Sequence, residues 1–445
     1  MLSRSFAIPR AALAAILAAT GWLASGPSAA QTLSQVVEMA VSSNPDVVEA
    51  LSQWEARGEE LRQAQAGYLP VLDLTAGIGY EYTDSPGTRA GGDGTAELDR
   101  AELGLTARQM LFDGHGTSSE VSRQQARRDA QAARVRSVAE DVGMQATQAY
   151  VDLLRYSALK ALAEQALEVH LRIQDQIRLR SEAGVGRRAD YDQVNARVAL
   201  AEANLVAAEV NLRDAETTFQ RVVGTLPQGE YAAPSIAAGT LPGSLQEALQ
   251  IARARNPVLD TAEADIRAAH AQHDAAKQAN YPRLDLEVGG NLNDNIDGVA
   301  GYSNDLSAML RMRYNLYRGG ADAARVRQTA YNINEAQEVR NRALRQLEES
   351  LRLAWAAQQA TAAQLPLQQR QVEAALATRD AYAKQFNIGQ RTLLDLLNSE
   401  NEVLGAQQSV ANTRADQLLA QYRILQAMGG LLQHLGLPSR LTAAE

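Results

Sequence analysis

His270 and His273 stand three residues apart in a stretch that reads as helix, the spacing at which two imidazoles can share a metal ion. No acidic or third histidine ligand is evident beside them, so an ordinary exposed helix face is the expectation. His115, in the turn Asp113-Gly114-His115-Gly116, reads as structural. Cysteine is absent, which removes thiol nucleophiles, thiolate metal sites and a disulfide framework. There is no glycine-rich phosphate loop, nucleophile elbow or zinc-binding histidine motif. Catalytic residues, metal and cofactors are therefore expected to be none. What does recur is a glycine turn followed by a carboxylate and an amide: Gly186, Asp192 and Asn195, then Gly389, Asp395 and Asn398.

That recurrence belongs to a duplication of the whole chain. Asn44-Pro45 returns as Asn256-Pro257, Leu72-Asp73-Leu74 as Leu284-Asp285-Leu286, and Leu111-Phe112-Asp113-Gly114 as Leu316-Tyr317-Arg318-Gly319. The expected division is a signal peptide (1–30), a first repeat (31–223), a linker (224–243), a second repeat (244–430) and a C-terminal tail (431–445). The linker is marked by three prolines and four glycines. The signal peptide is marked by Arg4 and Arg10, the apolar run from Ala11 to Ala24, and the small residues Ser28-Ala29-Ala30, so that Gln31 opens the mature chain. A net charge of −9 argues against a nucleic-acid partner.

Each repeat reads as helix, strand, strand, very long helix, tight turn, return helix. The first helix is expected over Leu33 to Gly67, and the long helices over Gly116 to about Ser181 and Gly320 to Phe386. A helix of about 65 residues spans roughly 100 Å, too long for a compact domain. The return helix and the first helix of the next repeat are expected to stack end to end alongside it. Pro366 should kink or interrupt the second long helix. On the return helix, Val194, Val198, Ala201, Leu205, Ala208, Leu212, Ala215, Phe219 and Val222 form a heptad seam. The same phase in the second repeat carries the polar Asn401 and Gln408 and predicts a seam that is weaker or faces water on one side.

Four segments alternate with period two. Leu72, Leu74, Ala76, Ile78, Tyr80 and Tyr82 oppose Asp73, Thr75 and Glu81, while Leu306, Leu310 and Met312 oppose Arg311 and Arg313. After the signal no apolar run is long enough for a membrane helix, so strands must carry any membrane role. Their length suits tilted membrane strands, with Asp84–Ala96 and Asn293–Asn304 as connecting loops. A half-buried soluble sheet is the competing reading. Four strands cannot close a barrel, and an open edge in lipid leaves backbone groups unpaired. Three copies would make an even twelve-stranded barrel.

On the duplicated Asn-Pro pairs, the Leu-Asp-Leu strand starts, Leu316-Tyr317-Arg318-Gly319-Gly320 and the two hairpin tips, the chain resembles the TolC family of outer-membrane efflux and secretion channels. The resemblance implies a mainly α fold with membrane β: a homotrimer with a twelve-stranded β-barrel in outer-membrane lipid and a coiled-coil α-barrel crossing the periplasm of a Gram-negative cell. It implies a passive duct and no enzyme, with a periplasmic adaptor protein and an inner-membrane transporter of ABC type as partners. Phe386-Asn387-Ile388-Gly389-Gln390-Arg391-Thr392-Leu393-Leu394-Asp395 is similar to the family's gate. By that match Asp395 forms the pore ring, Arg391 is an inter-helix latch, and Tyr191 and Asp192 are the latch's acceptor side. Phe386 replaces a tyrosine of the family latch, and Asn398 stands where a second acid can occur. Three Asp395 carboxylates around one axis would favour cations and carry raised pKa values. The tips Val185, Gly186, Arg187, Ile388, Gly389 and Gln390 are the implied adaptor contacts. The run from Gly67-Tyr68-Leu69-Pro70 to Asp113-Gly114 resembles most closely type I secretion members that export adhesins. Multidrug efflux is the alternative, and a soluble periplasmic coiled-coil scaffold is the alternative of another class.

Overall fold

The computed structural model describes residues 31–90, 94–184, 187–237 and 239–437. The signal peptide, Val185, Gly186 and the end of the tail lie outside the described residues.

The chain begins with α1 (Leu33–Ser43) and α2 (Pro45–Ala66), then β1 (Val71–Thr83), a short α3 (Pro86–Ala90), β2 (Ala96–Phe112), α4 (Gly116–Glu182) and α5 (Arg188–Val223). After the linker come α6 (Leu245–Arg255), α7 (Pro257–Ala276), a 3-10 turn, β3 (Arg283–Ile296), β4 (Val299–Arg313), α8 (Ala321–Asn387), α9 (Leu393–Ala427) and a final turn of helix, α10 (Leu431–His434). The helix expected over Leu33 to Gly67 is two. Asn44 is extended (φ −66°, ψ 129°), as a residue before proline must be. It caps α2 by accepting from the Asp46 N–H, and Asn256 caps α7 by accepting from the Val258 N–H.

Those two asparagines also decide what stacks on what. Asn44 Nδ2 donates to the Val222 carbonyl at 3.4 Å, and Asn256 Nδ2 to the Ala427 carbonyl at 2.9 Å. So α5 continues into α2 of its own repeat, and α9 into α7. The expected stacking of α5 on the first helix of the next repeat is corrected: the end-to-end partner is set by the capping amide, not by chain order. Each pseudo-continuous pair runs beside a long helix. α4 packs between α2/α5 and α7/α9, and α8 covers the far side of α7/α9. The result is four staves in the order α2/α5, α4, α7/α9, α8. At mid-height α1, α6, α10 and the linker wrap the staves in a belt. The Tyr150 hydroxyl lies 2.6 Å from the Ala232 carbonyl oxygen and 2.8 Å from that of Gln31 there, its one proton shared between them, and its ring meets Tyr231 edge-on.

Pro366 lies inside α8 without interrupting it. The residue is exposed, so the carbonyl that loses its donor can take water, and the cost of about 3 kcal/mol is spread over a helix of 67 residues. The α5 seam is buried or half-buried throughout. On α9 the expected phase is buried at Leu397, Ala415, Tyr422 and Leu425, and Leu396, Ser399, Val403, Ala406, Val410 and Thr413 add a second buried series, because α9 sits between two staves. The polar members Asn401 and Gln408 line a groove shared with α4 and α5.

The four strands make one antiparallel sheet in the order β1-β2-β3-β4, matching the stave order below. The expected loop Asn293–Asn304 is replaced by a two-residue turn, Asp297-Gly298. β3 and β4 stay paired through Ile296 and Val299, and Asn295, Asp297 and Gly298 take the left-handed conformation needed to reverse there. Ile78 is 92% exposed and Leu306 84%, and every residue of β4 is exposed. Leaving each such side chain in water forfeits about 1.5–3 kcal/mol. The opposite face is polar, with Glu287 bound by both Arg108 and Arg311. β1 and β4 pair with one neighbour each.

Candidate gate at the hairpin tips

The two long hairpins end side by side. Ile173 and Ile177 of α4, Val194 of α5, Phe386 of α8 and Leu393, Leu396 and Leu397 of α9 bury one another in a small cluster separate from the main core. The cluster places everything that surrounds it.

The second tip is closed by its own backbone. Gly389 takes φ +76°, a left-handed value that favours glycine. Its N–H donates to the Phe386 carbonyl at 3.1 Å, and the Gln390 N–H to the Gln385 carbonyl at 2.9 Å, the double bond of a Schellman end. Ile388 is left 69% exposed at the apex. On the first tip Arg187 is exposed and precedes α5 in extended backbone without a side-chain cap.

Asp395 sits at the third position of α9 in a reciprocal cap. Its Oδ2 accepts from the Thr392 hydroxyl at 2.8 Å and the Thr392 N–H at 3.2 Å, while its own N–H donates to Thr392 Oγ1 at 3.2 Å. The Thr392 hydroxyl, then its N–H, and then the Arg391 guanidinium at 3.8 Å hold the carboxyl below the usual aspartate range. The raised value expected from a carboxylate ring is thus opposed within each protomer by the cap.

Arg391 stays inside its own hairpin. It stacks 4.2 Å over the Tyr382 ring and its Nε donates to Gln385 Oε1 at 3.1 Å. Within one protomer it does not meet Tyr191, which is half-buried against the cluster, or Asp192, which is exposed. The cross-hairpin contacts bring Phe386 and Asn398 against two arginines that the sequence did not single out. Arg180 of α4 lies over the Phe386 ring, and Arg197 of α5 reaches Asn398. Nothing in their local pattern separates them from other surface arginines; only the apposition of the hairpins does.

Farther up, His273 shares a 2.9 Å hydrogen bond with Thr329 of α8, so it faces a neighbouring helix, while His270 is exposed. His115 takes φ 67° and packs edge-on against Phe112 at the base of the sheet.

Residues 36–225 and 248–430 match the family described as Outer membrane efflux protein. The chain belongs to that family. It is an outer-membrane channel subunit that extends into the periplasm, a passive duct and not an enzyme. Among its relatives, Outer membrane efflux protein BepC of Brucella suis is 27% identical over 94% of this chain and 90% of its own length. Outer membrane protein TolC of Escherichia coli is 26% identical over 91% and 83%. Proteases secretion protein PrtF of Dickeya chrysanthemi is 25% identical over 91% and 88%. The crystal structure of CusC superposes with a TM-score of 0.80 at 17% identity, covering 89% of this chain and 92% of that one. This likeness in fold agrees with the long helices and small membrane sheet expected of a TolC-like efflux protein.

Proposed function

We propose that this outer membrane efflux protein is the exit duct of a type I secretion system, assembled as a homotrimer and engaged from the periplasm by an adaptor and an ABC-type inner-membrane transporter. The observation that carries the reading is the incompleteness of the single chain. Its sheet has two free edges and an apolar face in the open. The outer staves repeat that incompleteness, with Val206 exposed on α5 and Tyr331 and Leu353 on α8. Three copies side by side join β4 to β1 and α8 to α2/α5, closing a twelve-stranded barrel over a helical tunnel. The polar face with Arg108, Glu287 and Arg311 then lines the lumen.

In this reading repeats 31–223 and 244–430 are equivalent halves joined by the linker 224–243, with the tail 431–445 beyond them. Asp395 forms the pore ring with Asn398 beside it, and Arg391 meets Tyr191 and Asp192 of a neighbouring protomer. Val185, Gly186, Arg187, Ile388, Gly389 and Gln390 receive the adaptor. Protein cargo is favoured by the relative named a proteases secretion protein and by the resemblance of residues 67–114 to adhesin exporters. Small-molecule efflux is the second reading, favoured by a further relative named a toluene efflux pump outer membrane protein.

Outer-membrane fractionation, a heat-dissociable trimer on gels and channel conductance in planar bilayers test the duct. A monodisperse single-chain particle in detergent-free buffer would refute it. Deleting the gene and assaying secreted protein against drug susceptibility separates the two cargo readings.

A further inference from the structure

Two arginines of the first hairpin cross to the second, and among the described residues neither meets a carboxylate. The Arg180 guanidinium lies 4.8 Å from the centre of the Phe386 ring, and its Nη2 donates to Asn387 Oδ1 at 3.4 Å. Arg197 Nη2 donates to Asn398 Oδ1 at 3.5 Å. Arginines that bridge the staves higher up end on acids: Arg155 on Asp416 at 2.7 Å, Arg136 on Asp260 at 2.9 Å, Arg340 on Glu263 at 3.3 Å and Arg267 on Asp129 at 3.4 Å. Arg180 and Arg197 are therefore cations without counter-ions, set against a ring and two amides.

We infer that Arg180 and Arg197 are positioning residues of the closed tip, forming a two-rung catch between the hairpins that is built to release. The inference rests on the reading of the chain as a gated duct. A guanidinium paired with a carboxylate resists separation more than one set against a neutral acceptor does. The higher arginines thus bind the staves more firmly, while the tip arginines hold them only while the hairpins stay apposed. The apolar cluster around Phe386 keeps the hairpins together, and the ring–guanidinium contact fixes their relative rotation. Phe386 suits this role because its bare ring offers a face to the cation. Asn398, standing where an acid can occur, keeps the second rung neutral and weak.

The test is the closed-state conductance of the full-length trimer in planar bilayers for wild type, Arg180→Gln, Arg180→Lys and Arg197→Gln. Trimer melting in detergent is read in parallel. Loss of one weak rung should raise the open population about three- to tenfold. Lysine keeps the charge but loses the planar stack, and should fall between wild type and glutamine. Melting should not move, because these rungs do not build the trimer. A Phe386→Leu, Arg180→Gln double variant should open no further than the single variants if the two act as one contact. An unchanged closed state in Arg180→Gln, or a leak that appears only together with lowered trimer melting, would overturn the catch. A wild type that never conducts would overturn the duct reading itself.

Discussion

The side-chain amide of Asn256 lies 2.9 Å from the carbonyl oxygen of Ala427, at the join where α9 ends and α7 begins. The same amide group's oxygen caps α7 through the Val258 N–H. One buried side chain therefore satisfies both ends of a broken helix, and Asn44 repeats the arrangement with Val222 and Asp46. Asn256→Ala removes the cap and orphans a carbonyl, and should destabilise the protein by roughly 1–3 kcal/mol. Thermal unfolding followed by circular dichroism measures it. A melting curve identical to wild type would mean that water replaces the amide at no cost.

Gly429 is held at the same join. Its φ is +69°, and an added Cβ would stand 2.7 Å from the Arg255 carbonyl oxygen and 3.0 Å from Pro257 Cδ. These are backbone and ring atoms that cannot swing aside. Gly429→Ala is expected to lower the melting temperature, and more than Gly405→Ala, where nothing stands within 4 Å. Equal melting of the two variants would show that the join yields freely.

Glu140 is a buried acid, 8% exposed, that accepts from the Leu431 N–H at 3.1 Å and the Leu432 N–H at 3.3 Å and so holds α10 to α4. Burial pushes its pKa up to about 7 against the donations of those two N–H groups, and pushes neighbouring Asp141 up as well. An acid raised in the folded state stabilises below its unfolded pKa, and that contribution is lost as pH rises through the folded value. The window here runs from about pH 4.5 to about 7, with a loss of roughly 3 kcal/mol. Glu140→Gln should flatten most of that slope, leaving the part due to Asp141. Melting temperatures taken across the window check it, and an unchanged slope would place the titration elsewhere.

Asp395→Ala should weaken block by multivalent cations in single-channel recordings by tenfold or so, if three carboxylates share one ligand. Within each protomer Thr392 and Arg391 favour the ionised carboxyl, which counters the repulsion within such a ring. Block of equal strength in the variant would take Asp395 out of the pore.

Arg391 links Tyr382, Gln385 and Asp395 across the second tip. Arg391→Ala should give a leakier closed channel, and reversing the charge at Arg187 should reduce recovery of the adaptor in pull-down. An intact closed conductance, or full adaptor recovery, would count against the respective role.

Periodicity in the sequence was enough to determine the kinds of element: heptads made the helices legible, alternation made the strands legible, and the glycine at position 389 marked a tip. These signals are local and survive without a fold. The pairing of α5 with α2, the second buried series of α9, the length of the β3–β4 hairpin and the crossing of Arg180 to Phe386 were not legible. Each depends on which surfaces meet across hundreds of residues, and an amide or guanidinium has the same local pattern whether it faces water or a neighbouring helix. Tertiary packing alone decides which of these groups lose their water, and so which joints hold and which release.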